Sequence, residues 1–181
     1  NKAFSSSMHR PYETAQIILQ NCKNLKIKKI DSLVEISHGL WEGKLEAEIR
    51  EQWPSLLKNW HDKPEEVIMP EGESIKDVSE RSVDAFDKIC LSQKDDDLTL
   101  LVAHDAVNKT LMCHILGVNY SNIWMIKQGN GGITVIDLFN DPSKPPVISA
   151  LNITTHLGGI IDLTASGLSL IHISEPTRRT Q

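Results

Sequence analysis

Three residues of this 181-residue chain could handle an anion and a proton between them: Arg10, Glu35 and His104. In "TLLVAHDAVNKTLMCHILG", residues 99–117, an apolar run ends on His104 and a helical pattern starts at once behind it. An imidazole at the carboxyl end of a buried strand, facing the free N–H groups of the next helix, is well placed to hold an anion. "SSSMHRPYETA" puts Arg10 at another helix start behind another strand; its planar fork matches phosphate oxygens. In "LVEISHGLWEG", Glu35 is bracketed by apolar residues, and a shielded carboxyl has a raised pKa and can act as a general acid. Ser5 and its neighbours Ser6 and Ser7 offer hydroxyls to a substrate, and Asn108 sits one turn into the helix behind His104. Taken singly, each has an ordinary explanation as a strand-end histidine, a surface arginine, a solvated carboxylate or a loop serine. Asp105 reads as the N-cap of the helix, and His9 and His38 as surface residues flanking the motifs.

These residues need elements that carry them to one place. "KAFSSS" reads as a short strand, followed by a helix with Pro11 in its first turn and Ala15, Ile18, Leu19 and Cys22 on one face. "LKIKKI" alternates as a strand with Leu25, Ile27 and Ile30 inward, and the lysines of "KNLKIKK" read as its solvated edge. "KLEAEIREQW" and "SLLKNW" form two short helices around Pro54. Ser74 and Asp77 make a capping box for a helix whose stripe is Ile75, Val78, Ala85, Phe86 and Ile89. A strand over 98–103 and a helix carrying Val107, Leu111 and Ile115 come next, then strands at "ITVIDLF" and "VISALNI". Strands alternating with helices predict a three-layer α/β/α domain with a mostly parallel sheet.

Composition excludes several classes. Hydrophobic residues make up 40 % and charged residues 24 %, which fits a folded globular chain. A net charge of −5 gives no electrostatic case for nucleic acid, so nucleic-acid partners are not expected. No apolar run reaches the roughly 20 residues of a bilayer span, so no membrane partner is expected either. Cys22, Cys90 and Cys113 show no metal spacing; each lies on an apolar stripe, which predicts buried thiols in a reducing, cytoplasmic compartment. No cofactor motif occurs: "GNGG" precedes a strand, and there is no GxSxG elbow or Walker loop.

Order and spacing raise the signal. "SSSMHRPYETA", "LVEISHGLWEG", "MPEGES" and "LLVAHDAVNKTLMCHILG" together resemble the histidine phosphatase (phosphoglycerate mutase-like) superfamily from about Ala3 to Asn152. The His-Asp-Ala-Val-Asn run is most similar to cyanobacterial and related plant members. The resemblance implies a metal-independent, cofactor-free phosphomonoesterase that acts on a small phosphorylated metabolite through a phosphohistidine. Transfer within a phosphoglycerate is a close variant. It implies that Glu35 donates a proton to the leaving alcohol, that His104 binds the phosphoryl group, and that Arg10 clamps its oxygens.

Two departures stand out. No Arg-His-Gly, the nucleophile motif implied by the resemblance, occurs in the chain, which begins at Asn1 and reads as a domain lacking its first strand. The fragment alone is then expected to be inactive, and a non-catalytic phosphoester-binding domain is the alternative. Asp105 stands where many relatives have glycine and would repel phosphate unless it faces away to cap the helix. The expected domain covers residues 1–167. Residues 168–181, "LSLIHISEPTRRTQ", resemble a translated sequencing adapter or read as a disordered tail, so His172, Arg178 and Arg179 are set aside. Oligomeric state is left open by the sequence.

Overall fold

The structure is a computed structural model that describes residues 1–158 apart from Lys23, Asp95, Asn140 and Pro142. The expected boundary at residue 167 and the tail 168–181 lie outside the described residues.

Three parallel strands make the central sheet. They are β1 (Lys2–Ser6), β2 (Ile27–Ile30) and β3 (Thr99–Val102), in the order β2-β1-β3. Register pairs Phe4 with Lys28 on one side and with Leu101 on the other. Ala3, Phe4, Ser5 and Ser6 are all buried, so both faces of β1 are covered, as parallel sheets require. Helix α1 (His9–Ile18) packs on all three strands. Helices α4 (Ile75–Leu91) and α5 (Asp105–Leu116) pack on each other, and their core takes in Leu101 and Ala103 at the end of β3. Two short helices, α2 (Glu46–Gln52) and α3 (Pro54–Asp62), add Ile49, Leu57 and Trp60 to the same core.

The sheet is smaller than the sequence predicts. β4 (Ile133–Asp137) and β5 (Val147–Ile153) pair antiparallel with each other as a separate two-stranded sheet. The period-2 pattern identifies a strand but not its neighbour. The α4 start is as read: Ser74 accepts from the Asp77 N–H, and Asp77 accepts from the Ser74 N–H at 2.8 Å. All five residues of its stripe are buried.

Two readings of α1 and α5 are corrected. The α1 face is narrower than expected: Ala15 is buried, but Ile18 and Cys22 are exposed. The helix stops at Ile18, so Cys22 no longer shares its face. Asp105 does not cap α5. His104, with extended backbone, is the N-cap residue, and Asp105 is the first helical residue. Lys26, Lys28 and Lys29 are exposed on and beside the edge strand β2, whereas Lys23 lies outside the described residues.

Candidate active site

Parallel pairing of β1 with β3 places their carboxyl ends, and the helices that follow, along one sheet edge. Ser6 ends β1 and Arg10 lies in the first turn of α1; two positions past the end of β3, His104 is the N-cap of α5. The imidazole of His104 is 4 % exposed and its Nε2 lies 3.0 Å from Ser6 Oγ. Its Nδ1 lies 4.0 Å from Glu35 Oε2. Two residues 69 positions apart in the chain therefore meet in a largely dry corner.

Burial sets the proton chemistry of this pair. Glu35 is pushed up to about 7, first by loss of water around the carboxyl and then by the nearby Asp105 carboxylate. The N–H groups of Ile36 and Ala106 and the charge of Arg10 pull it the other way. His104 is pulled down to about 4, first by burial and then by the charges of Arg10 and Arg81. At neutral pH His104 is a neutral imidazole, and Glu35 sits near its midpoint, able to give or take a proton. Arg10 is exposed at the head of α1, its charge reaching both groups. An anion held there would raise both pKa values, favouring a protonated Glu35 and a charged His104.

The other candidates fall in different places. Ser5 is buried, but its hydroxyl donates to the Ser6 carbonyl at 3.0 Å; the hydroxyl that meets His104 belongs to Ser6. Asn108 is half-buried in the first turn of α5, its N–H donating to the His104 carbonyl at 2.8 Å. His9 is exposed beside Glu13, as its flanking position predicts. His38, read as a surface residue, is buried with its ring edge-on to Trp60.

Asp105 resolves its conflict with an anion differently from a cap. Its Oδ2 accepts from the ammonium of buried Lys109 at 3.0 Å, which neutralises it, and Lys109 also lies over the Trp124 ring. Its Oδ1 is buried without a hydrogen-bond partner.

Sequence reasoning missed Arg81 and Glu73. They join the Glu35 loop to the "MPEGES" segment, and Ser37 and Glu73 bond in both directions there. The two segments approach so closely at Gly39 and Gly72 that a Cβ on Gly39 would lie 2.1 Å from the Pro70 carbonyl oxygen. Gly39 also has φ +54°, which favours glycine. The available signal for Arg81 is a basic residue on the flank of the α4 stripe. Among the described residues no group of three or more His, Cys, Asp or Glu could hold a metal ion. No helix among them is long and apolar enough to cross a membrane.

The chain as a whole is similar to known proteins. The family model described as the histidine phosphatase superfamily (branch 1) matches residues 1–152. "Phosphoserine phosphatase 1" of Hydrogenobacter thermophilus is 34% identical over 155 residues, covering 86% of this chain and 71% of that protein. The 2-carboxy-D-arabinitol-1-phosphatase of Triticum aestivum is 27% identical over 149 residues, covering 82% of this chain and 30% of that longer protein. Among solved structures, Bacillus stearothermophilus YhfR superposes with a TM-score of 0.77 at 25% identity, covering 86% of this chain and 75% of its own. A mycobacterial glucosyl-3-phosphoglycerate phosphatase with inorganic phosphate gives 0.73 at 23% identity, covering 84% and 77%.

Proposed function

The chain belongs to the histidine phosphatase superfamily, and we propose that it supplies most of the active site of a metal-independent phosphomonoesterase for small phosphorylated metabolites. The observation that carries this reading is the Glu35–His104 pair, 4.0 Å apart and buried, with the charge of Arg10 reaching both. Relatives named for phosphoserine and for carboxyarabinitol phosphate support a substrate of that size.

The reaction follows from the groups. Arg10 and His104 hold the phosphoryl oxygens. A histidine nitrogen attacks phosphorus as the ester P–O bond breaks, and the proton on Glu35 passes to the leaving oxygen. The Glu35 carboxylate then takes a proton from water, whose oxygen attacks phosphorus. The P–N bond breaks and inorganic phosphate leaves. Glu35 thus serves as acid and then as base, a role suited to a pKa near the working pH.

None of the histidines in this chain follows the Arg-His-Gly pattern. On this reading an Arg-His-Gly strand supplies the nucleophile, and these residues alone are expected not to turn over. Such a strand would pair along the outer edge of β3, which among the described residues pairs with β1 alone. We place the protein in the cytoplasm, a compartment suited to a buried free thiol such as Cys113.

The test uses protein carrying an upstream Arg-His-Gly strand ahead of this chain. Incubation with a generic phosphomonoester and rapid quenching should trap phosphate on protein in an acid-labile, base-stable form. Acid-stable label, or none during turnover, overturns the mechanism. Turnover should be the same before and after treatment with EDTA; loss on chelation would point to a metal enzyme.

A further inference from the structure

Arg81 lies on α4, outside the catalytic group assembled above, and commits its guanidinium to the Glu35 loop. Nε and Nη2 donate to the two oxygens of Glu73, at 2.8 and 2.9 Å. Nη1 donates to the carbonyls of Ser32 at 2.9 Å and Val34 at 2.7 Å, and Nη2 also donates to the Glu35 carbonyl at 3.2 Å. Glu73 in turn accepts the Ser37 N–H at 2.9 Å. Arg81 therefore grips three carbonyls before and at Glu35, and Glu73, which it holds, takes one amide beyond it.

We propose that Arg81 is a positioning residue for Glu35: its fork fixes residues 32–37 so that the Glu35 carboxyl is held against His104. The stretch after the short turn Asp31–Leu33 has neither helix nor strand to satisfy its backbone. Buried carbonyls need partners, and an arginine supplies five donors in one rigid plane. A lysine at the same place would be a point charge with no fork. The Glu73 carboxylate orients the guanidinium and balances its charge inside a corner that is 19% exposed at Arg81 and 26% at Glu73. The significance of the position rests on reading Glu35 as the proton donor.

The charged groups facing Glu35 are His104 and Asp105 from the start of α5 and Arg10 from α1. Arg81 acts from α4. Glu73 lies behind Arg81, and Glu42 accepts the neighbouring His38 N–H. The test follows the Glu35 carboxyl and the His104 ring through pH titrations by NMR. It compares this chain with Arg81→Gln, Arg81→Lys and Glu73→Gln.

Releasing the loop lets water reach the carboxyl. In Arg81→Gln the Glu35 midpoint should fall from about 7 toward 4.5, by about one unit or more, a ~10-fold change in proton affinity. The His104 midpoint should rise above about 4, since a positive charge is gone. Arg81→Lys keeps the charge without the fork, so Glu35 should still fall while His104 stays in place. A structural bystander would lower the melting temperature and leave the Glu35 midpoint unchanged, with His104 moving only where the charge is lost, which overturns the proposal. If Arg81→Gln does not fold, Glu73→Gln decides, because it removes the charge that orients the Arg81 fork and weakens the hold on the Ser37 N–H: a lower Glu35 midpoint supports the role and an unchanged one overturns it. A parent protein whose Glu35 titrates near 4.5 counts against the donor reading itself. A parent near 7 whose Glu35 midpoint no folded variant moves counts against Arg81 alone.

Discussion

Helices α1 and α5 begin just behind adjacent parallel strands, and each carries a residue of the candidate site at its N-terminal end, yet they are treated very differently by the fold. α5 buries seven of its residues, Lys109 and Thr110 among them, against α4 and the core. α1 buries only Pro11 and Ala15, and leaves Ile17 and Ile18 exposed. The same contrast holds for the site residues at their N-terminal ends. His104 is enclosed and its basicity suppressed, while Arg10 is open to solvent. Topology decides where both helices start, and so where an anion can sit. The packing around each helix start decides what the site residue there can do. A group that must carry a shifted pKa needs the buried corner. A guanidinium that must capture a hydrated anion needs the open one.

Turnover should show the largest difference between the two regions. In protein that carries the nucleophile strand, Glu35→Gln should lower kcat by roughly 10²- to 10⁴-fold, the range of a lost general acid–base. Arg10→Ala should act mainly through KM, by roughly tenfold to a hundredfold, the scale of lost charge-assisted hydrogen bonds. Steady-state kinetics on a phosphomonoester separates the two. Equal effects on kcat from both variants would erase the distinction.

Stability should show the contrast along the helices. Leu111 of α5 is 2% exposed, and Leu111→Ala should cost about 2–5 kcal/mol in denaturant unfolding. Ile18 at the end of α1 is 54% exposed, and Ile18→Ala should change stability by about 0.5 kcal/mol or less. A costly Ile18→Ala would mean that α1 has a partner surface beyond the described residues.

The electrostatics of the buried corner give a third, smaller effect. Glu35 has a folded pKa of about 7 against an ordinary value of 4.5. A group raised in this way contributes stability that is fully present below about 4.5 and is lost as pH rises through about 7. His104 works in the opposite sense: its contribution is present above about 6.5 and is lost as pH falls through about 4. The amide of Glu35→Gln does not titrate, and the histidine is common to both proteins. The stability of Glu35→Gln relative to the parent should therefore rise between pH 4.5 and 7.5, by up to about 3 kcal/mol at about 1.4 kcal/mol per unit. A flat difference across that range would mean that the carboxyl is solvated.

How far the sequence foretells this depends on what each residue's role draws on. Helix starts, caps and apolar stripes are local, so the Ser74–Asp77 box, the α4 stripe and the junction at His104 are legible from spacing. The meeting of Glu35 with His104 is long-range, and the ordered motifs point to it only through resemblance. Ser6 rather than Ser5 facing His104 is a matter of strand phase, which four consecutive buried residues conceal. Arg81 is illegible because three of its four partners are backbone carbonyls, and carbonyls have no sequence. The Asp105–Lys109 pair looks like any i,i+4 surface pair, and only its burial sets it apart from Lys58–Asp62.

The smallest effect is chemical and leaves the fold intact. Cys22 lies past the end of α1 and is exposed; Cys113 lies within α5, fully buried, and burial raises its thiol pKa. The thiolate is the form that alkylates, so both access and charge disfavour Cys113. Iodoacetamide should label the exposed Cys22 without prior opening of the fold and leave the melting temperature unchanged. Cys113 should react only as fast as the core opens, so its labelling should slow whenever inorganic phosphate stabilises the folded state. Early labelling of Cys113 would show that the α5 region is no better packed than α1, and a neutral His104 held in a dry corner would lose its physical basis.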